Sequence, residues 1–299
     1  MDGCWWLTEA IPLAATALLP LALFPLLDVA SVAEAAAPYS TDLIFLFMGG
    51  FILGLGMQRW GLHRRIALVT VLAVGTEPLR LIAGFMLATA LLSMWISNTA
   101  AVIMMLPIGV SVLEMFRRHS EGAAAHMESG PRAGYGANFG TALMLGIAYA
   151  ASIGGVGTLI GTPPNLVLAS FVKQRYGMEI GMLEWLRIGL PLVAVFLPVT
   201  WLFLTRIAYP VRAASIPNGR ELIARELSAL GRWTRPEKMV LTVFTLTALG
   251  WILRPQLVHW TGLTGITDAV VAITGALLLF VIPVEVSTRT FAMDWDTAK

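Results

Sequence analysis

The sequence is poor in charge and in cysteine. Charged residues make up 13% of its 299 residues and apolar residues 57%, whereas soluble domains carry about 25% charged residues. The single cysteine, Cys4, excludes an internal disulfide. No positive charge precedes it, so we expect no signal peptide. This composition excludes an ordinary soluble domain and predicts an all-α polytopic membrane protein, a bundle of transmembrane helices.

Motifs of several enzyme classes are also missing. The sequence contains no Cys/His spacing typical of zinc sites, no G-x-x-x-x-G-K phosphate loop and no G-x-S-x-G nucleophile elbow. The scattered histidines are typical of solvated loops: His63, His119, His126 and His259. A net charge of +2 is too small to indicate a nucleic-acid partner. We therefore predict that the protein is not an enzyme and holds no organic cofactor.

What the sequence does contain is a series of apolar runs separated by arginine-bearing links. Membrane spans are expected at residues 11–27, 42–57, 188–207, 240–253 and 268–282. Two other runs, 81–113 and 139–172, are too long for one span of about 20 residues and too short for two comfortable ones. These two runs therefore need a different explanation.

The run 81–113 carries Ser97, Asn98 and Thr99 at its centre. We interpret it as a re-entrant hairpin whose arms, of about 15 residues, each climb roughly 22 Å and leave by the same face. Its tip would present hydroxyls, an amide and unpaired backbone groups at depth, which is tolerated only within protein or beside a wet cavity. The alternative is a polar cluster that merely joins helices.

The run 139–172 is interrupted at its centre. The interruption contains Gly154, Gly155, Gly157 and Gly161, followed by Pro163 and Pro164. These residues cannot sustain a regular helix. We predict a spanning helix broken at mid-depth, an arrangement that exposes backbone carbonyls and helix ends to ions and substrates in transporters. A glycine-packed kink without a ligand is the alternative.

The distribution of basic residues favours the hairpin. If residues 81–113 return to their own side and residues 139–172 cross, sixteen of the 20 basic residues fall on one face: Arg59, Arg64, Arg65, Arg80, Arg117, Arg118, Arg132, Arg206, Arg212, Arg220, Arg225, Arg232, Arg235, Lys238, Arg289 and Lys299. The other face keeps Lys173, Arg175, Arg187 and Arg254. A crossing hairpin would split them eight to twelve. The biased arrangement identifies the basic face as cytoplasmic, although two short full spans would give the same count.

Three stretches together resemble the divalent anion:sodium symporter family, the sodium-coupled dicarboxylate, citrate and sulfate transporters. They are residues 5–12 (WWLTEAIP), 93–99 (SMWISNT) and 152–165 (SIGGVGTLIGTPPN). The resemblance covers essentially the whole chain. It implies an elevator-type carrier of the cell's inner (plasma) membrane, built from two inverted repeats and usually a homodimer. Each repeat of that family supplies one re-entrant hairpin and one broken helix.

The resemblance also implies roles for individual residues. Sodium, the coupling ion, should bind the Asn98 side chain, the backbone carbonyls of Ser93 and Ser97, and one of the four glycines Gly154, Gly155, Gly157 and Gly161. The substrate anion should contact Ser97, Asn98, Thr99, Thr162, Pro163 and Asn165. Bound sodium and helix N-termini can neutralise an anion without a buried lysine or arginine.

The expected organisation has three parts. Residues 1–80 form scaffold-type helices; residues 81–187 form a transport-type region with a hairpin at 81–115 and a broken helix at 138–172; residues 188–299 add further spans and a cytoplasmic link at 209–238. Residues 294–298 (DWDTA) faintly echo residues 6–10 (WLTEA), and the Ser-Asn-Thr tip occurs once. We therefore expect an incomplete chain, the first repeat and the start of a second.

The function predicted on this basis is sodium-coupled symport of a small divalent anion, most of all a C4-dicarboxylate such as succinate. One alternative is a sodium-independent exchanger of dicarboxylate, citrate or sulfate. Another is a half-transporter that needs a partner chain. A membrane-embedded hydrolase is a third, but the two central motifs contain no histidine or lysine to serve as its base.

Overall fold

Helices make up nearly all of the chain that the structure describes. The computed structural model describes residue 8 and residues 10–75, 77–124, 133–211, 219–285 and 290–298. The prediction of an all-α polytopic membrane protein is confirmed. Several residues used in the sequence analysis lie outside the described residues: Trp5, Trp6, Glu9, His126, Arg132, Arg212, Arg289 and Lys299.

The chain forms two compact units, Met1–Phe45 and Leu46–Lys299. In the first, α1 (Leu13–Leu26) follows Pro12, and a short helix, α2 (Val32–Ala36), begins at a capping box in which Ser31 and Glu34 satisfy each other's backbone N–H groups. A 3₁₀ turn, Ala37–Ser40, follows. α3 (Asp42–Arg59) then begins in this unit and continues into the second.

The second unit contains the remaining elements. They are α4 (Leu62–Val74), α5 (Pro78–Ser93), α6 (Asn98–Ala124), α7 (Ala133–Gly155), α8 (Pro163–Tyr176), α9 (Met182–Leu202) with a π-helical extension (Phe203–Ala208), α10 (Gly219–Ala229), α11 (Arg235–Thr261), α12 (Asp268–Val281), β1 (Pro283–Glu285), β2 (Thr290–Phe291) and α13 (Trp295–Ala298). The two short strands pair antiparallel.

Within the described residues, three helices are long and apolar enough to cross a membrane: Asp42–Arg59, Met182–Ala208 and Arg235–Thr261. Each contains a predicted span, and the third extends well beyond the predicted 240–253. The predicted spans at 11–27 and 268–282 correspond to the shorter apolar helices Ala14–Leu26 and Asp268–Val281. The number of helices that cross, and the face on which the basic residues lie, stay predictions.

Both overlong runs are interrupted as predicted, but the first turns just before Asn98 and Thr99 and not at the predicted residues 97–99. α5 and α6 are joined by a turn at residues 94–97, so the first run is a helix–turn–helix; its first arm begins at Pro78 instead of residue 81. The second arm reaches Ala124, beyond the predicted end at 115, because the helix continues past the apolar run. The second run is broken at residues 156–162, between α7 and α8. The depth of the hairpin and its return to one face stay predictions.

Helix α4 was absent from the predicted elements. It begins after Gly61, ends at Val74 before Gly75, and buries Ala67, Leu68 and Val71 against α5 and its neighbours. Its polar N-terminal turn interrupts the apolar pattern, so it resembles a charged link in the sequence. Packing against the hairpin makes this segment helical, since most helical stability in proteins comes from an amphipathic face that is covered.

The core of the second unit surrounds α5. Leu81, Ile82 and Phe85 are fully buried, and side chains of α4, α6 and α7 surround them. Ile223 of α10 joins the same core and is also fully buried. Helix α10, which lies in the link 209–238, therefore packs its apolar side against protein. This core holds the hairpin and α7 together and positions their ends.

A buried ion pair ties the link to α4. The Arg65 guanidinium donates to both carboxylate oxygens of Glu237, at 2.8 and 3.2 Å, and both side chains are only 5% exposed. It also donates to the backbone carbonyls of Gly231 at 3.0 Å and Leu230 at 3.2 Å. The ring of Trp233 lies 5.0 Å from its Cζ. One arginine thus fixes both the link and the first turn of α11 to α4.

Candidate functional site

The hairpin tip, defined as residues 93–99, consists of a helix end and a helix start. α5 ends at Ser93, whose carbonyl oxygen accepts no backbone N–H from the described residues. α6 starts at Asn98, and the Ser97 hydroxyl accepts a hydrogen bond from Ala100 N at 3.2 Å, as an N-cap residue does. Ser97 O accepts from Ala101 N at 3.0 Å. The chain reversal therefore leaves helix-end oxygens and helix-start N–H groups at one place.

Ser93 connects the tip to α7. Its Oγ lies 2.6 Å from Asn98 Oδ1 and 2.6 Å from the backbone oxygen of Ala151. A hydroxyl has one proton, so it cannot donate to both oxygens fully. Rotating the Asn98 amide by 180° lets Nδ2 donate to Ser93 Oγ while the hydroxyl donates to Ala151 O. In that arrangement Asn98 Oδ1 is free to bind another group.

The broken segment, defined as residues 156–162, begins where α7 ends beside Asn98. A Cβ at Gly155 would overlap Asn98 Oδ1 and lie 3.1 Å from its Cγ, so the amide rests directly on the Gly155 backbone. A Cβ at Gly161 would overlap Gly155 O. The other glycines have different neighbours, since Gly154 packs on the Ala90 backbone and Gly157 on the Met94 side chain. Of the four glycines, Gly155 alone has the Asn98 amide among its nearest neighbours, and Gly161 contacts Gly155.

Asn165 supports the broken segment from α8. It is 6% exposed and lies in the first turn of the helix, after the N-cap residue Thr162. Its Nδ2 donates to Gly155 O and to Thr158 O, both at 2.8 Å. The amide N–H₂ has two protons, so both are used. If Asn165 contacts the substrate as predicted, only its Oδ1 is available for that contact.

The remaining predicted site residues lie nearer the surface. Thr99 and Pro163 are exposed and Thr162 is half-buried. Among the described residues, no side-chain hydrogen bond joins Thr99 or Thr162 to the Asn98 group. Each belongs to the first turn or the N-cap of a helix, where N–H groups and the positive end of the helix dipole favour an anion.

Several supporting residues were not predicted. Thr158 is fully buried, and its hydroxyl donates to the backbone oxygen of Met94 in the hairpin tip. Trp185 Nε1 donates to Val156 O at 2.8 Å. Thr158 lies inside the third motif, but nothing in the spacing distinguishes it from its neighbours. Trp185 carries no sequence signal at all, because its partner is brought to it by the return of α9.

The hairpin tip is also in contact with α3 and α11. A Cβ at Gly54 would lie 2.9 Å from Ile96 Cγ2 and 3.0 Å from Trp95 O, so α3 approaches the tip backbone closely. The Trp95 ring meets Phe244 edge-on with centroids 4.9 Å apart and stacks on Trp251 at 6.1 Å. Helices α3 and α11 thus pack directly against residues 95 and 96 of the tip.

Exchanging Gly154 for alanine is expected to destabilise the protein by about 1–3 kcal/mol or more. The new Cβ would collide with the backbone of Ala90, which cannot move without separating α5 from α7. Gly265→Ala is the matched control, because a Cβ there meets nothing within 4 Å. Thermal unfolding in detergent should show a lower Tm for the first variant alone. Equal Tm values would contradict the close contact between Gly154 and the Ala90 backbone.

Comparison with known proteins places this chain in a family. The family model described as citrate transporter matches residues 4–297. A protein named sodium-dependent dicarboxylate transporter SdcS, from Staphylococcus saprophyticus, is 42% identical over 297 residues, which are 99% of this chain and 56% of the relative. Proteins of the same name from Staphylococcus aureus strains are 41% identical over the same shares.

The chain thus spans about half the length of the curated relatives it matches. The family model nevertheless covers nearly all of this chain, and the family is one of transporters and not of enzymes. The resemblance drawn from the three motifs is confirmed: the chain is a multi-pass plasma-membrane protein and belongs to the citrate transporter family, among the divalent anion:sodium symporters.

Proposed function

We propose that the chain supplies a sodium site and half of a substrate site for sodium-coupled transport of a C4-dicarboxylate such as succinate. The observation that supports this proposal most directly is the position of the Asn98 amide, which rests on the Gly155 backbone between two interrupted helices. Two helix breaks that meet in this way bring neutral oxygens and positive helix ends together, which is how transporters bind coupling ions and anions.

The sodium ligands would be oxygens, which hard cations prefer. Asn98 Oδ1 is free when the amide donates to Ser93 Oγ, and the carbonyl of Ser93 has no backbone donor among the described residues. The carbonyl oxygens of Ser97 and Gly155 each accept one hydrogen bond and keep a second lone pair. Gly161 is the alternative glycine. A sodium site here agrees with the sodium dependence stated in the name of the relatives.

The substrate carboxylate would bind at the starts of α6 and α8. The hydroxyls of Thr99 and Thr162 are the accessible donors there, and Pro163 lines the same helix start. Ser97 contributes through its hydroxyl and Asn98 through the part of its amide not bound to sodium. Neither the hairpin tip nor residues 154–165 contain a charged side chain, so sodium would provide the positive charge that the dianion needs.

The division into a scaffold (residues 1–80), a transport region (81–187) and further helices (188–299) is part of the proposal, as are elevator motion and a homodimer. A sodium-independent exchanger is the second candidate for transport. The sodium dependence in the names of the relatives favours the symporter. A half-transporter that needs a partner chain is the third candidate.

The proposal is tested by measuring sodium binding and succinate uptake separately. Purified protein in lipid nanodiscs should bind ²²Na⁺ saturably, with choline unable to compete. Cells that produce the chain should take up labelled succinate in sodium medium and lose that uptake in choline medium. Uptake that is unchanged in choline would support the exchanger and contradict the symporter. Sodium binding without uptake would support the half-transporter, and a lack of sodium binding would overturn the proposal.

A further inference from the structure

The hairpin tip and the broken segment are joined by a chain of hydrogen bonds that begins in α8. Asn165 Nδ2 donates to Thr158 O at 2.8 Å, and the Thr158 hydroxyl donates to Met94 O. We call Asn165, Thr158 and Met94 the tip relay. Its first two members are 6% and 0% exposed, and Met94 is 6% exposed. The relay therefore runs through the interior, and each of its members has a definite partner.

The same Asn165 amide also donates to Gly155 O at 2.8 Å. Asn165 thus positions the glycine that carries the Asn98 amide, while Thr158 positions the turn that leads to Asn98. Both sides of the contact between Asn98 and Gly155 are therefore held from Asn165, in the first turn of α8.

We propose that Thr158 and Asn165 are positioning residues of the sodium site: through the tip relay they set the distance between Asn98 and Gly155, and they do not themselves bind ion or substrate. This inference rests on the proposed sodium site. It gives Asn165 a different role from that of a substrate ligand, and it assigns a role to Thr158, which the sequence did not single out.

The hydrogen bonds of Thr158 and Asn165 explain why these residues hold the site in one arrangement. The Thr158 hydroxyl donates its single proton to Met94 O. The two protons of the Asn165 amide are donated to Gly155 O and Thr158 O. A buried donor or acceptor that loses its partner remains unsatisfied, so the native arrangement is favoured over displaced ones. A movement of α8 would shift Thr158 and the hairpin tip together. The relay thereby links the start of α8 to the sodium ligands.

The structure offers a close control for Thr158. Thr89 is also fully buried, but its hydroxyl donates to Phe85 O within its own helix, at 2.7 Å. Valine has the shape of threonine and lacks the hydroxyl, so Thr158→Val and Thr89→Val each remove one buried hydrogen bond. Thr158→Ser keeps the hydroxyl. The three variants distinguish the loss of the hydrogen bond between the broken segment and the hairpin tip from the loss of an equally buried hydrogen bond elsewhere.

Two measurements on the whole chain in nanodiscs test the inference. The first is the Kd for ²²Na⁺, which we expect to rise about tenfold in Thr158→Val, to change less than about twofold in Thr89→Val and to be largely restored in Thr158→Ser. The second is hydrogen exchange of the backbone amides of residues 94–101 without added sodium. Exchange there should be faster in Thr158→Val than in Thr89→Val.

The outcomes are distinguishable from those of the proposed function. Equal sodium affinity and equal tip exchange in the two valine variants would overturn the tip relay, with sodium binding by the wild-type protein intact. A lack of sodium binding by the wild-type protein would overturn the proposed function, and with it the sodium role of the relay. Hydrogen exchange is measured without sodium. Faster exchange in Thr158→Val would therefore still show that the Thr158–Met94 hydrogen bond holds the hairpin tip.

Discussion

Asn98→Ala is expected to raise the sodium concentration for half-maximal binding by about tenfold or more. The change removes the one side-chain oxygen in the proposed sodium site and leaves the Ser93 hydroxyl with Ala151 O as its partner. It also leaves an empty space on the Gly155 backbone, where the amide rested. The affinity for ²²Na⁺ in nanodiscs is the quantity to measure, and succinate uptake at graded sodium concentrations should follow it.

Asn138→Ala is the control for this variant. Its Nδ2 donates to Pro210 O at 3.3 Å, which is a bond at the other end of α7 and does not involve the tip. We expect no change in sodium affinity when it is lost. If Asn98→Ala binds sodium as the wild-type protein does, the assignment of Asn98 as a ligand is wrong. A proportional loss of total binding capacity at unchanged Kd would indicate misfolding, which the control variant and size-exclusion profiles would reveal.

Breaking the Arg65–Glu237 pair from one side should have the largest effect on stability. Arg65→Met or Glu237→Gln is expected to cost about 3–5 kcal/mol, because the partner is left buried without its counter-charge. Arg65→Met also removes the hydrogen bonds that Arg65 donates to the carbonyls of Leu230 and Gly231. Thermal unfolding in detergent would show a much lower Tm. The double variant Arg65→Met/Glu237→Leu should lose less than the sum of the single variants, since it leaves no unpaired charge.

The exposed pair Arg225–Glu221 is the control for the buried one. Its nitrogen and oxygen are 3.7 Å apart, and the side chains are 80% and 61% exposed. Such pairs contribute from about 0 to 1 kcal/mol. Glu221→Gln should therefore leave the Tm nearly unchanged. A Glu237→Gln variant as stable as Glu221→Gln would show that the link 209–238 is held to α4 by apolar packing alone.

Much of the backbone could be predicted because the features that determine it are local. A run too long for one span predicted a hairpin that turns at Ser97, Asn98 and Thr99. The structure has the turn at 94–97, and Asn98 and Thr99 already belong to α6. Glycines followed by Pro163 and Pro164 predicted the break between α7 and α8. Helix α4 was missed because its helical state depends on a neighbour that covers Ala67 and Val71.

The roles within the site depend on contacts between distant residues. Four glycines are equivalent in the sequence, but only Gly155 supports the Asn98 amide, because α7 ends beside the hairpin tip. The family resemblance implied that Asn165 contacts the substrate. The structure uses both of its amide protons to brace residues 155 and 158, so we now propose a positioning role for it.

The sequence by itself determined the class of the protein, the two interrupted runs and the residue types that meet at them, because composition and backbone-breaking residues act locally. Family membership followed from motifs that the comparisons confirmed. Only the tertiary structure decided which oxygens are free and which accept hydrogen bonds within the site. It also decided that Thr158 joins the broken segment to the hairpin tip. Hydrogen-bond partners far apart in the chain depend on how helices pack, and packing is a property of the whole fold.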